Sequence, residues 1–81
     1  MVAEQAEVLT KQYPTAILIW NILGASRSQI GMLEEAIDAY KKTISLKPDY
    51  AEAYSNMGVA YRNMGKPDEA IEAYKKAISL K

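Results

Sequence analysis

The side chains of this chain that could do chemistry are amides, hydroxyls and a guanidinium, spaced for recognition rather than catalysis. Six positions between residues 52 and 63 recur at relative steps of 0, 3, 4, 7, 10 and 11, which places them on one face of a helix. They are Glu52, Ser55, Asn56, Val59, Arg62 and Asn63. Because an asparagine amide both donates and accepts hydrogen bonds, this stripe could satisfy the backbone of an extended peptide.

A second stripe with the same spacing lies 34 positions earlier in the chain. Its members are Leu18, Asn21, Ile22, Ala25, Ser28 and Gln29. The polar members Asn21, Ser28 and Gln29 complete the set of candidate binding residues, and Arg62 is the best candidate for a charged contact. The alternative is that both stripes are hydrated helix faces without a ligand, since an arginine near a helix C-terminus is favourable in any case.

The composition argues against most catalytic and metal-binding chemistry. Among 81 residues there is no cysteine and no histidine, which removes the thiolate nucleophile, the disulfide, the usual general base and the commonest metal ligand. The four glycines are too dispersed to form a phosphate-binding loop. We therefore expect no enzyme activity, no cofactor and no metal site.

The charge balance argues against nucleic acid and membranes as partners. Ten basic and ten acidic residues cancel, so no global field attracts a polyanion. The lysine pairs Lys41–Lys42 and Lys75–Lys76 have acidic neighbours at ion-pair spacing, and we expect them on a different face from the aromatic residues. The most apolar run, residues 16–23, is far shorter than the roughly 20 residues of a membrane span. Without a secretory signal at the N-terminus, we expect a cytoplasmic chain.

The elements that position both stripes are predicted to be helices, because apolar residues recur at steps of three and four and no segment alternates. Prolines and glycines divide the chain into five helices. These cover residues 2–12, 15–29 and 33–46, then a fourth that follows an Asp49 N-cap and ends at residue 63, and a fifth that starts at Pro67. Gly31 is expected to end the second helix in a left-handed conformation, and Gly65 is expected to end the fourth.

An internal repeat organises these helices. Residues 35–47 (EAIDAYKKTISLK) and 69–81 (EAIEAYKKAISLK) are identical at 11 of 13 positions, at an offset of 34. The same offset pairs Gly24 with Gly58, Gly31 with Gly65 and Pro14 with Pro48. A fixed period of this length indicates stacked units. We predict an all-α fold of stacked antiparallel helix-turn-helix repeats in one domain: a half unit (residues 1–16), a first unit (17–50) and a second unit (51–81).

The placement of these residues resembles the tetratricopeptide repeat family, whose 34-residue helix-turn-helix carries a loose W-L-G-Y-A-F-A-P pattern. The second unit matches at Tyr54, Met57, Gly58, Tyr61, Ala70, Tyr74 and Ala77, and the first unit at Trp20, Leu23, Gly24, Ala36, Tyr40 and Pro48. Arg27 and Thr43 depart from the pattern, which has tyrosine and alanine there. Because the pattern reflects packing, the matching residues are expected in the core.

The resemblance implies a non-catalytic protein-interaction scaffold, in which the first helices of successive units line a concave groove that binds a peptide or a partner helix. The family's carboxylate clamp for chaperone tails is not expected, because Asn21 and Ala25 replace its first lysine and first asparagine. Two alternatives remain. The chain could be a structural spacer or docking segment of a longer superhelix attached to a catalytic domain of glycosyl- or sulfotransferase type. It could also form a homo-oligomer through an uncovered face of the last helix around Ile78.

Overall fold

Five α-helices joined by short turns make up the structure, a computed structural model that describes residues 2–80. They are α1 (Ala3–Gln12), α2 (Ile17–Gln29), α3 (Leu33–Leu46), α4 (Ala51–Asn63) and α5 (Pro67–Ser79). No strand occurs in this described range. The all-α prediction is confirmed, and each predicted boundary lies within two residues of the observed one. None of the five helices is long and apolar enough to cross a membrane.

The glycines predicted to end α2 and α4 do so. Gly31 has φ 84° and Gly65 has φ 75°, in the left-handed region that glycine adopts without steric cost. After each glycine the next amide reaches back along the helix: Met32 N–H donates to the Arg27 carbonyl and Lys66 N–H to the Tyr61 carbonyl, both at 2.9 Å. The glycine amides bond as well: Gly31 N–H donates to the Ser28 carbonyl at 3.1 Å and Gly65 N–H to the Arg62 carbonyl at 3.0 Å. The two bonds at each glycine form a Schellman motif, which turns the chain directly into the following helix.

The prediction that Asp49 caps α4 was wrong. The residue that precedes the helix is Tyr50, and no side chain bonds the free amides of the first turn. Tyr50 N–H donates to the Lys47 carbonyl at 3.1 Å, and the Tyr50 carbonyl accepts from Ala53 N–H at 3.1 Å. Asp49 therefore lies inside the turn, one residue too early to cap the helix.

Within each hairpin, an aromatic ring of the second helix lies against a glycine of the first. A Cβ atom on Gly24 would lie 2.6 Å from Cδ1 of Tyr40, and a Cβ atom on Gly58 would lie 2.6 Å from Cε1 of Tyr74. Real Cβ atoms do not approach a ring this closely, so with the tyrosine ring in its observed place only glycine fits at these positions. The two hairpins, α2–α3 and α4–α5, thus share the same tyrosine–glycine contact at equivalent positions.

The units stack through two apolar clusters. The larger joins α3 to the second hairpin and contains Ala36, Ile37, Tyr40, Met57, Ala60 and Ala73. The smaller joins α1 to the first hairpin through Ala6, Leu23 and Ala39. The backbones of α2 and α4 also approach each other, whereas among residues 2–80 those of α1, α3 and α5 do not. The helices therefore form two layers, with α2 and α4 on the inner side.

The two departures from the family pattern both have structural partners. The hydroxyl of Thr43, fully buried, donates to the Ala39 carbonyl at 3.0 Å and so needs no water. The guanidinium of Arg27 donates to the Glu35 carbonyl and to the Glu7 carboxylate, both at 3.0 Å. Arg27 therefore joins α1 to the first hairpin through an ion pair and a hydrogen bond. The tyrosine that the family pattern has at this position could not form the ion pair.

Gly24→Ala and Gly58→Ala should differ in stability although they are the same change at equivalent positions. Alanine gains about 1 kcal/mol of helix propensity, while overpacking costs about 1–3 kcal/mol. Tyr40 is 2% exposed and enclosed by α4, so it cannot yield, whereas Tyr74 is half-buried and can rotate away. We expect Gly24→Ala to lower the free energy of unfolding by up to about 2 kcal/mol net and Gly58→Ala to leave it nearly unchanged. Urea denaturation followed by circular dichroism measures both; equal losses would contradict this packing difference.

Stability should also fall in alkaline solution because of Tyr40. Burial, together with the nearby negative charge of Glu52, raises the pKa of Tyr40 to about 12, against about 10 in an unfolded chain. The folded state holds the Tyr40 proton more tightly than the unfolded chain does. This proton therefore contributes roughly 2–3 kcal/mol to the free energy of unfolding below about pH 10, and the contribution is lost as the pH rises from about 10 to about 12. Urea denaturation across this range should show a shallower decline for Tyr40→Phe. The exposed Tyr13→Phe is the matched control, and an identical decline in the two variants would refute the assignment.

Candidate functional site

The candidate binding residues lie on the inner layer, along the solvent-facing sides of α2 and α4. Glu52, Arg62, Asn63 and Gln29 are exposed, and Val59 lies at the border of exposure. Ser28, Ser55 and Asn56 are half-buried. Because each helix rises about 1.5 Å per residue, the stripe from Glu52 to Asn63 is roughly 16 Å long. That length corresponds to about five residues of an extended peptide.

Asn21 differs from the other eight candidates because it is only 5% exposed. Its Oδ1 atom accepts a hydrogen bond from Nδ2 of Asn56 at 3.4 Å, across the contact between α2 and α4. The side chain of Asn21 is therefore not available to a ligand in this conformation. Its hydrogen bond restrains the amide of Asn56, a residue that is itself half-buried.

Glu52 lies at one end of the stripe, close to the turn that precedes α4. The pKa of Tyr50 is raised by burial first and then by the charge and hydrogen bonding of the nearby Glu52 carboxylate. Lys47 Nζ lies 6.0 Å from the centroid of the Tyr50 ring. Glu52 thus lies beside this turn at the start of α4, with its side chain exposed.

The opposite end of the stripe carries a guanidinium. Arg62 is exposed, and across residues 2–80 it forms no ion pair. Asn63, next to it, is exposed as well. The stripe on α4 therefore has an acidic end at Glu52, amides and a hydroxyl in the middle, and a basic end at Arg62.

Apolar surface accompanies these polar groups. Leu18 on α2 is 62% exposed, and Val59 on α4 occupies the middle of its stripe. Leu18 was not among the predicted binding residues, although it belongs to the same helical stripe and this periodicity was the signal for it. The arrangement can hydrogen-bond a peptide backbone and bury an apolar side chain. Over the described part of the chain, no group of three or more histidine, cysteine or acidic residues could hold a metal ion.

The expectation that the lysines and the aromatic residues occupy different faces was wrong for one pair. Lys42 Nζ lies 5.8 Å from the centroid of the Trp20 ring, within the range of a cation–π contact. Among the lysine pairs, the described residues show a single ion pair, between Lys75 and Glu72 at 4.0 Å, with both side chains exposed. An exposed pair of this kind contributes little to stability.

Family models match most of the chain. The model described as TPR repeat matches residues 24–65, and the one described as Tetratricopeptide repeat matches residues 51–81. Together they cover the first unit from Gly24 onward and the whole second unit.

Proteins with related sequences include a receptor. The peroxisomal targeting signal receptor of Candida albicans is 45% identical over 47 residues, which is 58% of this chain, and the chain spans 8% of the receptor's length. The tetratricopeptide repeat protein 13 of Homo sapiens is 36% identical over 59 residues, 73% of this chain and 6% of that protein. The chain thus corresponds to a small part of each relative.

Among solved structures, the crystal structure of MamA superposes on 96% of this chain with a TM-score of 0.90 and 32% sequence identity. The chain covers 46% of that MamA chain, or about half of its length. A second structure, that of MamA MSR-1, also gives a TM-score of 0.90, at 27% identity. The helices and their stacking are therefore those of the repeat solenoids in these proteins.

Proposed function

The chain belongs to the tetratricopeptide repeat family of protein-interaction scaffolds, and on that premise we propose that the inner face of α2 and α4 binds an extended peptide of a partner protein. This inner face consists of Ser28, Gln29, Glu52, Ser55, Asn56, Val59, Arg62 and Asn63, with Leu18 beside them. Asn21 is buried behind this face and accepts a hydrogen bond from Asn56. The observation that carries the proposal is the amide pair of Asn21 and Asn56, which orients a hydrogen-bonding group across two units.

Three properties of the inner face favour an extended peptide. The fixed Asn56 amide can bond a peptide backbone without selecting its side chains. Leu18 and Val59 offer apolar contact area on either side of that amide. Glu52 and Arg62 at opposite ends suit a peptide with a basic residue near one end and an acidic residue or carboxylate near the other.

A partner protein is also the class that the relatives indicate, since one of them is named a receptor for a targeting signal. The alternative role, as a spacer within a longer superhelix, does not require any of these groups to contact a ligand. It predicts that the inner face binds no peptide, and the same experiment therefore separates the two roles.

Selection from a displayed library of random short peptides tests the proposal, with the affinities of the recovered peptides measured by fluorescence anisotropy. Arg62→Ala should weaken binding by about 1 kcal/mol, or about fivefold, because it removes a charge-assisted contact. Lys75→Ala, a change of similar size on the exposed side of α5, is the matched control and should leave the affinity unchanged. Recovery of no saturable binder, or of binders indifferent to Arg62→Ala, would argue for the spacer role.

Asn56→Ala should weaken peptide binding and also lower stability. The change removes the amide that the peptide contacts, and it leaves the buried Oδ1 of Asn21 without this donor, at a cost of about 1–3 kcal/mol. The free energy of unfolding is therefore measured alongside the affinity. The double variant Asn21→Leu with Asn56→Ala removes both polar groups and should recover stability without recovering binding. Restored binding in the double variant would show that the amide pair serves packing alone.

A second proposed role is self-association through the outer face of the last hairpin. Ile71 is 50% exposed and Ile78 is 73% exposed, with the half-buried Tyr74 between them. Of their equivalents in the first unit, Ile37 and Tyr40 are buried under α4, and Ile44 is half-buried and packs against the same cluster. The face has the composition of a surface that another helix covers, and a second copy of the chain could cover it in a closed pair.

Sedimentation velocity over a wide range of concentration tests this association. The wild-type chain should shift from monomer to dimer as concentration rises, and Ile78→Lys should remain a monomer because a lysine cannot be buried in the pair. Leu18→Lys, which places the same charge on the inner face, is the matched control and should still associate. A wild-type monomer at every concentration, or equal loss in both variants, would exclude this interface.

A further inference from the structure

A cavity lies between α4 and α5 on the side away from the inner face. It has a volume of about 380 Å³, and its floor is formed by Tyr54, Met57, Tyr61 and Ala73. At 3.6 residues per turn, Tyr54, Met57 and Tyr61 point roughly 180° away from the stripe of Glu52, Val59 and Arg62. The cavity is therefore separate from the proposed peptide site, on the opposite side of the same helix.

The rim of this cavity is acidic. Asp68, Glu69 and Glu72 line it, with Lys76 as the one basic residue. Three carboxylates and one ammonium leave a net charge of −2 around an apolar floor. An occupant that suits both parts has an apolar stem and a cationic head.

In the first unit, a side chain of this kind stands at the position of one of the lining residues. All eight residues that line the cavity have counterparts 34 positions earlier, and seven of the eight keep their chemical class: an aromatic, an apolar residue, three acids, an alanine and a lysine. The exception is Arg27, which stands where the second unit has Tyr61.

Arg27 shows how a guanidinium is held in that setting. It donates to the main-chain carbonyl of Glu35 at 3.0 Å and pairs with Glu7 at 3.0 Å. Its side chain is 17% exposed. In the second unit the counterpart of Glu35 is Glu69, which lines the cavity, and the counterpart of Glu7 is Lys41. The counter-charge for a guanidinium there would come from the acidic rim on α5.

We propose that the α4–α5 cavity binds an arginine side chain of a partner protein, which lies over Tyr61 and supplies the guanidinium that Arg27 supplies from within the chain in the first unit. The aliphatic stem of the arginine lies on Tyr54 and Met57, and its guanidinium pairs with the carboxylates of Glu69 and Glu72. Together with the inner face, this gives the second hairpin two recognition sites on opposite sides of α4.

Nuclear magnetic resonance titration of the isotope-labelled chain tests this site with three capped amino acids. The probe is N-acetyl-arginine amide, and the controls are N-acetyl-citrulline amide, which has the same shape without charge, and N-acetyl-norleucine amide, which has only an apolar stem. The arginine probe should perturb the amides of Tyr54, Tyr61, Glu69 and Ala73, and citrulline should bind about threefold more weakly, as expected for one partly exposed ionic contact.

Variants assign the effect to the rim and the cavity. Glu69→Gln should weaken the arginine probe about threefold, whereas Glu35→Gln, the matched change in the first unit, should not alter its binding. Tyr61→Arg should abolish binding of the arginine probe, because the chain then supplies its own guanidinium. Tyr61 is half-buried, and its replacement could prevent folding. In that case the result for Glu69→Gln, a change at an exposed residue, decides the proposal.

Four outcomes would overturn the proposal. Equal affinity for arginine and norleucine would make the cavity a general apolar dock. Perturbations confined to the inner face would place the arginine contact there. Absence of any saturable perturbation would show that the cavity does not bind the probe. In the same titration, perturbations that depend on protein concentration without any probe would assign the cavity to a second copy of the chain.

Discussion

The close contact between an aromatic ring and a glycine sets the separation of the helices in both hairpins, and the other features depend on it. Tyr40 lies on Gly24, and Tyr74 lies on Gly58. Tyr40 also belongs to the cluster that joins α3 to α4, so one side chain fixes the first hairpin and the position of the next unit. The inner face exists because this packing brings α2 and α4 close enough for Asn21 and Asn56 to bond.

Local features of the fold could be predicted from the sequence, because each depends on residues close together in the chain. The 34-residue repeat and the apolar spacing located five helices. Gly31 and Gly65 end two of them as predicted, Gly31 in the predicted left-handed conformation. The Asp49 cap could not be placed correctly, since the turn geometry around Lys47 decides which residue begins the helix.

The site was harder to predict because its decisive contacts join distant positions. Periodicity placed Asn21 and Asn56 on helix faces, but it did not show that Asn21 is buried and bonds a residue 35 positions away. Arg27 was recognised as a departure from the family pattern, yet its partner Glu7 lies 20 positions earlier, in the half unit whose sequence matched least. Lys42 reaches Trp20 for the same reason, since helix pairing rather than sequence distance brings them together.

The half unit is attached to the rest of the chain by few and small contacts, and one of them can be observed by optical means. Trp20 is the only tryptophan, and its indole Nε1 donates to the Pro14 carbonyl at 2.7 Å in the turn between α1 and α2. Its ring packs beside the cluster that holds α1. Detachment of α1 would hydrate the indole and move its fluorescence emission to longer wavelength, while the tyrosines of the second hairpin keep their surroundings. Emission wavelength compared with helical content therefore distinguishes fraying at this end from unfolding of the whole chain.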